Sequence, residues 1–290
     1  MYLPSFLLCN RKVLECSEKL RRMRSILLES SLLSDDFLFN SGAIKEREQE
    51  DMYSYDDRVR FSEADKDGYL RLEGILDYFQ DCSTFQSEDL DVGMQYLDEL
   101  HLVWVLSSWQ IVVERYPKMG ERIKIGTVPY SIKGCFGHRN YMMFDEKGER
   151  IACANALWTL LDTRKMIPAK PTALMLQKYL IEEKIQMDYA PRKITMPDNN
   201  TACIEEKEKI VVKKYHLDSN NHVNNGQYVR MAMDFLPETV KVVQMRAEYK
   251  KQAHLDDIII PVVGRNGDVS TISLNDASGD TYACIEFTTK

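Results

Sequence analysis

The chain has 290 residues, 44% hydrophobic and 29% charged, enough for one large domain or two ordinary ones and typical of a globular protein. A net charge of −7 argues against nucleic acid as a partner, because its binders carry a basic footprint. No apolar run reaches the ~18 residues of a membrane span, and seven scattered cysteines without a CxxC pair indicate neither a disulfide framework nor a zinc site.

Residues 1–51 differ from the rest. Phe6 to Leu8 is apolar but short and follows no basic stretch, which argues against a secretion signal; a cytoplasmic location is the default for thiols kept reduced. A weak helix is expected over 12–33, and the whole segment reads as a mobile N-terminal extension. The pattern beyond Met52 predicts a strand over 55–61, then the turn Glu63-Ala64-Asp65-Lys66-Asp67-Gly68-Tyr69. Leu72, Ile75, Leu76 and Phe79 follow at helical spacing, and a second helical piece is expected over 84–98. Four strands come next, at 103–113, 122–130, 138–144 and 151–161, with a hairpin turn at Glu146-Lys147-Gly148. Prolines 168, 171, 191 and 197 mark residues 163–204 as a linker holding a short helix at 173–187. Its basic residues outnumber its acidic ones, leaving a surplus of +4 over 163–193. From Glu206 the pattern restarts: a strand (209–215), a turn (216–225), a helix (226–236) and strands at 240–250, 258–263, 269–275 and 282–288.

The restart is an internal repeat. DKDGYL at 65–70 overlays DSNNHV at 218–223, Ile75 aligns with Tyr228, and GERIAC at 148–153 overlays GDTYAC at 279–284. Each half reads as strand, short turn, helix and antiparallel strands. A helix wrapped by an antiparallel sheet is the hot-dog layout. The predicted fold class is therefore α+β, a tandem (double) hot-dog of two helix-wrapped antiparallel sheets that can pair. Its halves are 53–162 and 205–290. The polar residues are not repeated: Asp67 stands where the second half has Asn220, and Tyr69 where it has His222. The first half thus reads as built to bury an apolar ligand or core.

The stretch His216 to Tyr228, HLDSNNHVNNGQY, carries the chemistry. Asp218, Asn220 and His222 fall on alternate positions and would share one face of an extended run. Asn224 or Asn225 caps the helix that follows, so these groups gather where free backbone N–H groups favour developing negative charge. That arrangement suits attack on a carbonyl. The same stretch also reads as an Asn-rich turn that only caps a helix. The five histidines lack metal spacing, and no metal or organic cofactor is expected.

Four blocks in order resemble the acyl-ACP thioesterase family, the double hot-dog enzymes of plants and bacteria, over nearly all of 53–290. DSNNHVNN at 218–225 resembles the family's DxNxHVNN, and AEYKKQA at 247–253 its EYRREC stretch. WVLSSWQIVVERYPKMGE (104–121) and FGHRNYMMFDEKGE (136–149) resemble its first-half blocks. The resemblance implies hydrolysis of the thioester between a fatty acyl chain and the phosphopantetheine arm of acyl carrier protein, releasing free fatty acid. It assigns Asp218, Asn220 and His222 to the site. The family's Glu and Cys positions are Gln252 and Ala253 here, which removes a carboxylate base and a thiol nucleophile; Gln252 can still hold a water. Asn220 and the helix-start N–H groups are expected to polarise the carbonyl. Asp218 or His222 then accepts the proton of water while the other orients it. Glu248 is a substitute carboxylate or a structural sheet residue. Trp104, Trp109 and Cys82 read as core, His138 and Arg139 as structural, and His254 as surface. Lys165, Lys170 and Lys178 are expected to dock the acidic carrier. An acyl-CoA thioesterase, a hydratase and a non-catalytic acyl-binding module are the competing readings. A homodimer is compatible with all of them.

Overall fold

The computed structural model describes residues 52–198, 203–218, 220–238 and 240–290; the readings made on 1–51 lie outside the described residues. The first half runs β1 (Tyr53–Arg58), α1 (Leu72–Asp89), α2 (Met94–Glu99), β2 (Leu102–Val113), β3 (Arg122–Lys133), β4 (Phe136–Asp145) and β5 (Arg150–Asp162). The connector holds the two-residue strand β6 (Ile167–Pro168) and α3 (Ala173–Lys178). The second half runs β7 (Cys203–Glu206), β8 (Ile210–Val211), α4 (Asn225–Met233), β9 (Val242–Tyr249), β10 (Ile258–Asn266), β11 (Val269–Asn275) and β12 (Thr281–Thr289).

The strands join in one antiparallel sheet ordered β1-β3-β4-β5-β2-β9-β12-β11-β10-β7, with β6 beside β5 and β8 beside β10. The order β1-β3-β4-β5-β2 of one half is repeated by β7-β10-β11-β12-β9 of the other. The two expected sheets therefore meet edge to edge at β2 and β9, where Gln110 lies opposite Arg246. Joining at this seam pairs the edge strands that each half alone would leave open.

Strand alternation sorts the side chains into two layers. Trp109, Ile111 and Val113 of β2, Ala152, Ala154 and Ala156 of β5, and Met245 and Ala247 of β9 are buried with Leu72, Ile75, Leu76 and Phe79 of α1 and Val229 and Ala232 of α4. Both helices lie on this side and pack on one another. Phe79, Trp109 and Tyr141 stack in a cluster with ring centroids 4.9 to 6.4 Å apart. The interleaved residues face the connector. Gln110 Nε2 donates to the Asp188 carbonyl (2.7 Å) and its Oε1 accepts from the Ala190 N–H (2.9 Å). Arg246 donates to the carbonyls of Pro191 (2.5 Å) and Lys193 (3.1 Å).

These contacts explain one departure from the sequence reading. The helix expected over 173–187 stops at Lys178. The backbone beyond it takes its partners from the sheet, as where the Glu182 N–H donates to the Pro129 carbonyl (3.0 Å). The strand expected over 209–215 shortens to Ile210–Val211 and gives way to a 3-10 turn at Lys214–His216, where the Lys213 N–H donates to His216 Nδ1 (3.0 Å). The helix expected over 84–98 divides: α1 runs on to Asp89, and α2 begins at Met94 after Asp91 turns the chain with φ 58°.

Candidate active site

The Asp218–His222 segment is a closed turn and not an extended run, so the shared-face argument does not hold. Asp218 Oδ1 accepts the backbone N–H groups of Asn220 (2.8 Å) and His222 (3.3 Å), and the Asp218 N–H donates to the His222 carbonyl (2.8 Å). Asn221 takes φ 60°, which Asn tolerates better than most residues. The repeat partner is built the same way. Asp65 Oδ1 accepts from Asp67 and Tyr69 (2.9 Å each), and Gly68 takes φ 79°. The hairpin turns at Asp145 and Asp276 repeat the pattern with Gly148 and Gly279 at positive φ. Asp218 thus spends one carboxylate oxygen on closing its loop, and Asn220 is left exposed at the tip.

The turn delivers the chain to the head of α4. Asn224 is the cap: its Oδ1 accepts the Gly226 N–H (2.8 Å) and its carbonyl accepts the Gln227 N–H (2.9 Å). The Asn225 N–H, first in the helix, has no acceptor among the described residues. Tyr249 donates its hydroxyl to the Asn225 carbonyl (3.1 Å), fixing that peptide from below. The Val223 N–H donates to the Ala253 carbonyl, and the Ala253 N–H to the Tyr228 hydroxyl, both at 2.9 Å. Ala253 is fully buried, so the position where the family carries Cys here serves packing. Gln252, beside it, is exposed.

His222 is half-buried, with its ring edge-on to His254 at 4.8 Å. Burial, and then His254, hold its pKa below the ordinary histidine value, while Asp218 opposes them. An imidazole so placed is neutral at pH 7 and can both donate and accept. His254, read as a surface residue, is exposed but borders the site. His216 is buried, and its pKa is also lowered, first by burial and then by Arg230 and Lys213. Its Nδ1 is occupied by the Lys213 N–H, which makes it a loop anchor.

A carboxylate the sequence reading did not name meets α4 from the other half. A methyl added to Gly226 would lie 3.2 Å from Asn224 Oδ1 and 3.4 Å from Asp77 Oδ1. Asp77 sits on α1 and keeps solvent access, yet its pKa is raised to about 6, chiefly by desolvation and then by Asp81, Glu73 and Glu63, with Arg71 opposing. The sequence signal was the run Glu73, Asp77, Gln80 at i, i+4, i+7 on the polar side of a predicted helix. Only the packing of α1 on α4 gives it meaning.

Glu248 is not in the site. It faces the connector, accepting the Ile194 N–H (3.2 Å) and lying 3.6 Å from Lys250 and 3.9 Å from Arg192. Trp109 is core, as expected, while Trp104 is half-buried. Arg139 is buried, donating to Gln86 and to Thr127 (3.2 Å). Burial pushes the thiols of Cys82 and Cys284 up to about 12 and Cys153 to about 11, so these three are protonated and inert at neutral pH. Lys165 and Lys170 are exposed, and Lys178 pairs with Asp91 at 3.2 Å. Among the described residues no group of metal-ligating side chains comes together, and no helix is long and apolar enough to cross a membrane.

Two helices cradled by one continuous antiparallel sheet, related by an internal repeat, define a double hot-dog protein. The models of the acyl-ACP thioesterase N-terminal and C-terminal domains match residues 50–175 and 200–284, and the chain belongs to the acyl-ACP thioesterase family. It is 27% identical over 217 residues to a chloroplastic palmitoyl-acyl carrier protein thioesterase of Arabidopsis thaliana, covering 69% of this chain and 52% of that one. It is 24% identical over 243 residues to an oleoyl-acyl carrier protein thioesterase of the same plant, covering 73% and 63%. The chain thus spans about half the length of the first of these relatives. The fold matches an acyl-ACP thioesterase from Bacteroides thetaiotaomicron with a TM-score of 0.75 at 18% identity, covering 85% of this chain and 99% of that one. A 12:0-ACP thioesterase from Umbellularia californica matches with a TM-score of 0.72 at 17% identity, covering 82% and 97%.

Proposed function

We propose that this protein hydrolyses the thioester of fatty acyl-acyl carrier protein with water, releasing free fatty acid, and that it does so without a cofactor. The observation that carries this reading is the Asn225 N–H at the head of α4, without an acceptor among the described residues, three positions beyond the half-buried, neutral His222. A helix N-terminus favours charge on a thioester oxygen as the carbonyl becomes tetrahedral. Asp218 closes the loop that aims these groups. His222 is left to orient the water; Asn220 and Gln252, both exposed, lie on the two segments joined by the Val223–Ala253 hydrogen bond. Residues 53–162 and 205–290 act as the two hot-dog halves, with 163–204 between them. The five described cysteines are free thiols, which fits a reducing compartment such as the cytoplasm. Lys165 and Lys170, with Lys178, supply positive charge for an acidic carrier.

The test is thiol release from acyl-ACP and acyl-CoA across chain lengths. Release of free thiol and fatty acid, with higher kcat/KM on acyl-ACP, supports the proposal. Preference for acyl-CoA would assign a different carrier, and tight acyl binding without thiol release would make the protein a binding module.

A further inference from the structure

The thioesterase reading leaves one step without an owner. The family's carboxylate position is Gln252, and Asp218 is engaged with its own loop. We propose that Asp77, reaching from α1 of the first half to the head of α4 in the second, is the general base that takes the proton of the attacking water. The inference rests on the thioesterase reading and names the group that completes it.

Three observations support it. Asp77 Oδ1 lies against the first turn of α4, 3.4 Å from where a Gly226 side chain would start, so carboxylate and helix head approach with nothing larger than a glycine between them. Asp77 accepts no hydrogen bond from any described residue. On the same side of α1, Glu73 Oε2 and Gln80 Oε1 are buried oxygens with no partner among the described residues. Buried acceptors are normally satisfied, so two orphaned ones on this side of α1 call for a polar partner such as water. Asp77 is thus a carboxylate free to accept, bordered by unfilled acceptor positions and facing the donor end of a helix.

In the step itself, the water oxygen bonds to the thioester carbon as its proton passes to the Asp77 carboxylate. The carbonyl oxygen becomes an oxyanion at the Asn225 N–H. Collapse of the tetrahedral species restores the carbonyl and breaks the C–S bond, and the proton leaves Asp77 for the thiolate. The products are the fatty acid and the carrier thiol. The charged groups facing Asp77 are Asp81, Glu73 and Glu63, which hold its proton more tightly, and Arg71, which loosens it. At the head of α4, the groups placed beside it are the uncharged Asn224 and Gly226. A base titrating near 6 is largely ionised at neutral pH and still basic enough to assist water.

The experiment is steady-state thiol release from acyl-ACP between about pH 5 and about pH 8 for wild type, Asp77→Asn, Asp77→Ala and His222→Gln. Asp77→Asn is expected to lower kcat at least ~100-fold with little change in KM and to remove the acid limb of the profile. Added formate is expected to restore part of the turnover of Asp77→Ala, which a merely structural role would not allow. Near-wild-type kcat in Asp77→Asn with the acid limb intact, and loss of that limb in His222→Gln, would overturn the assignment in favour of His222. Absence of thiol release from wild type itself would instead remove the thioesterase reading on which the assignment stands.

Discussion

Asp218 and Asp65 close two loops, one in each half, with the same hydrogen bonds: each Oδ1 accepts the N–H groups two and four residues on. The first member of the family motif is therefore the architectural residue of a turn that the protein uses elsewhere without chemistry. Replacing Asp218 with Asn keeps an acceptor at Oδ1, and turnover on acyl-ACP is expected to stay within about tenfold of wild type. A base at this position would cost ~100-fold or more. Asp218→Ala and Asp65→Ala should each cost about 1–3 kcal/mol in chemical denaturation, because two backbone donors lose their partner. Only the first should also depress activity.

Gly226 separates folding from function. Its backbone is helical, so Gly226→Ala gains up to ~1 kcal/mol of helix propensity. The new methyl would sit tightly against Asn224 Oδ1 at 3.2 Å and at ordinary contact distance, 3.4 Å, from Asp77 Oδ1. The expected outcome is a melting temperature within a few degrees of wild type, with thiol release down ~100-fold as the space at the helix head closes.

Asp77 makes an opposite demand on stability. Its folded pKa is raised to about 6, so between its ordinary value and that value the folded protein binds more protons than the unfolded chain. By linkage, its contribution to stability falls as pH rises through this window and stays lost above it. Asp77→Asn is therefore expected to melt above wild type at neutral pH, with the gap closing as the pH falls toward the ordinary carboxylate range. Differential scanning calorimetry across that range checks the sign.

The carrier-docking reading rests on exposed lysines outside the helix–sheet layers. Lys165→Glu with Lys170→Glu is expected to raise KM for acyl-ACP about tenfold at low salt and to leave acyl-CoA unchanged. Lys178 is the weaker probe, since reversing it also sets a carboxylate beside Asp91. Equal KM values for wild type and the double variant on acyl-ACP would dismiss this surface.

The fold was legible because its signals are local and repeated. The spacing of Leu72, Ile75, Leu76 and Phe79 and the overlay of DKDGYL on DSNNHV identified both helices and the turns that lead into them. The strands β2 and β9 were legible as strands, but not that the connector covers their outer face. Its partners there, Gln110, Arg246 and Glu248, are far away in sequence, and for the same reason Glu248 could be read as a site residue. In the site, the second-half loop was legible from its motif, while its shape was not. A period of two in Asp218, Asn220 and His222 suits a strand, yet the Asp218 side chain captures the backbone first and makes a turn. Asp77 was hidden because its meaning comes from the packing of one half's helix on the other's.

The central claim is direct attack by water at the head of α4, with no nucleophile supplied by the chain. A single turnover of purified acyl-ACP in ¹⁸O-labelled water, followed by mass spectrometry of both fatty acid and protein, tests it most directly. One ¹⁸O is expected in each released acid, with no acylated form of the protein at any time point. A covalent acyl-protein adduct, or acyl-ACP recovered intact beside the folded protein, would contradict it.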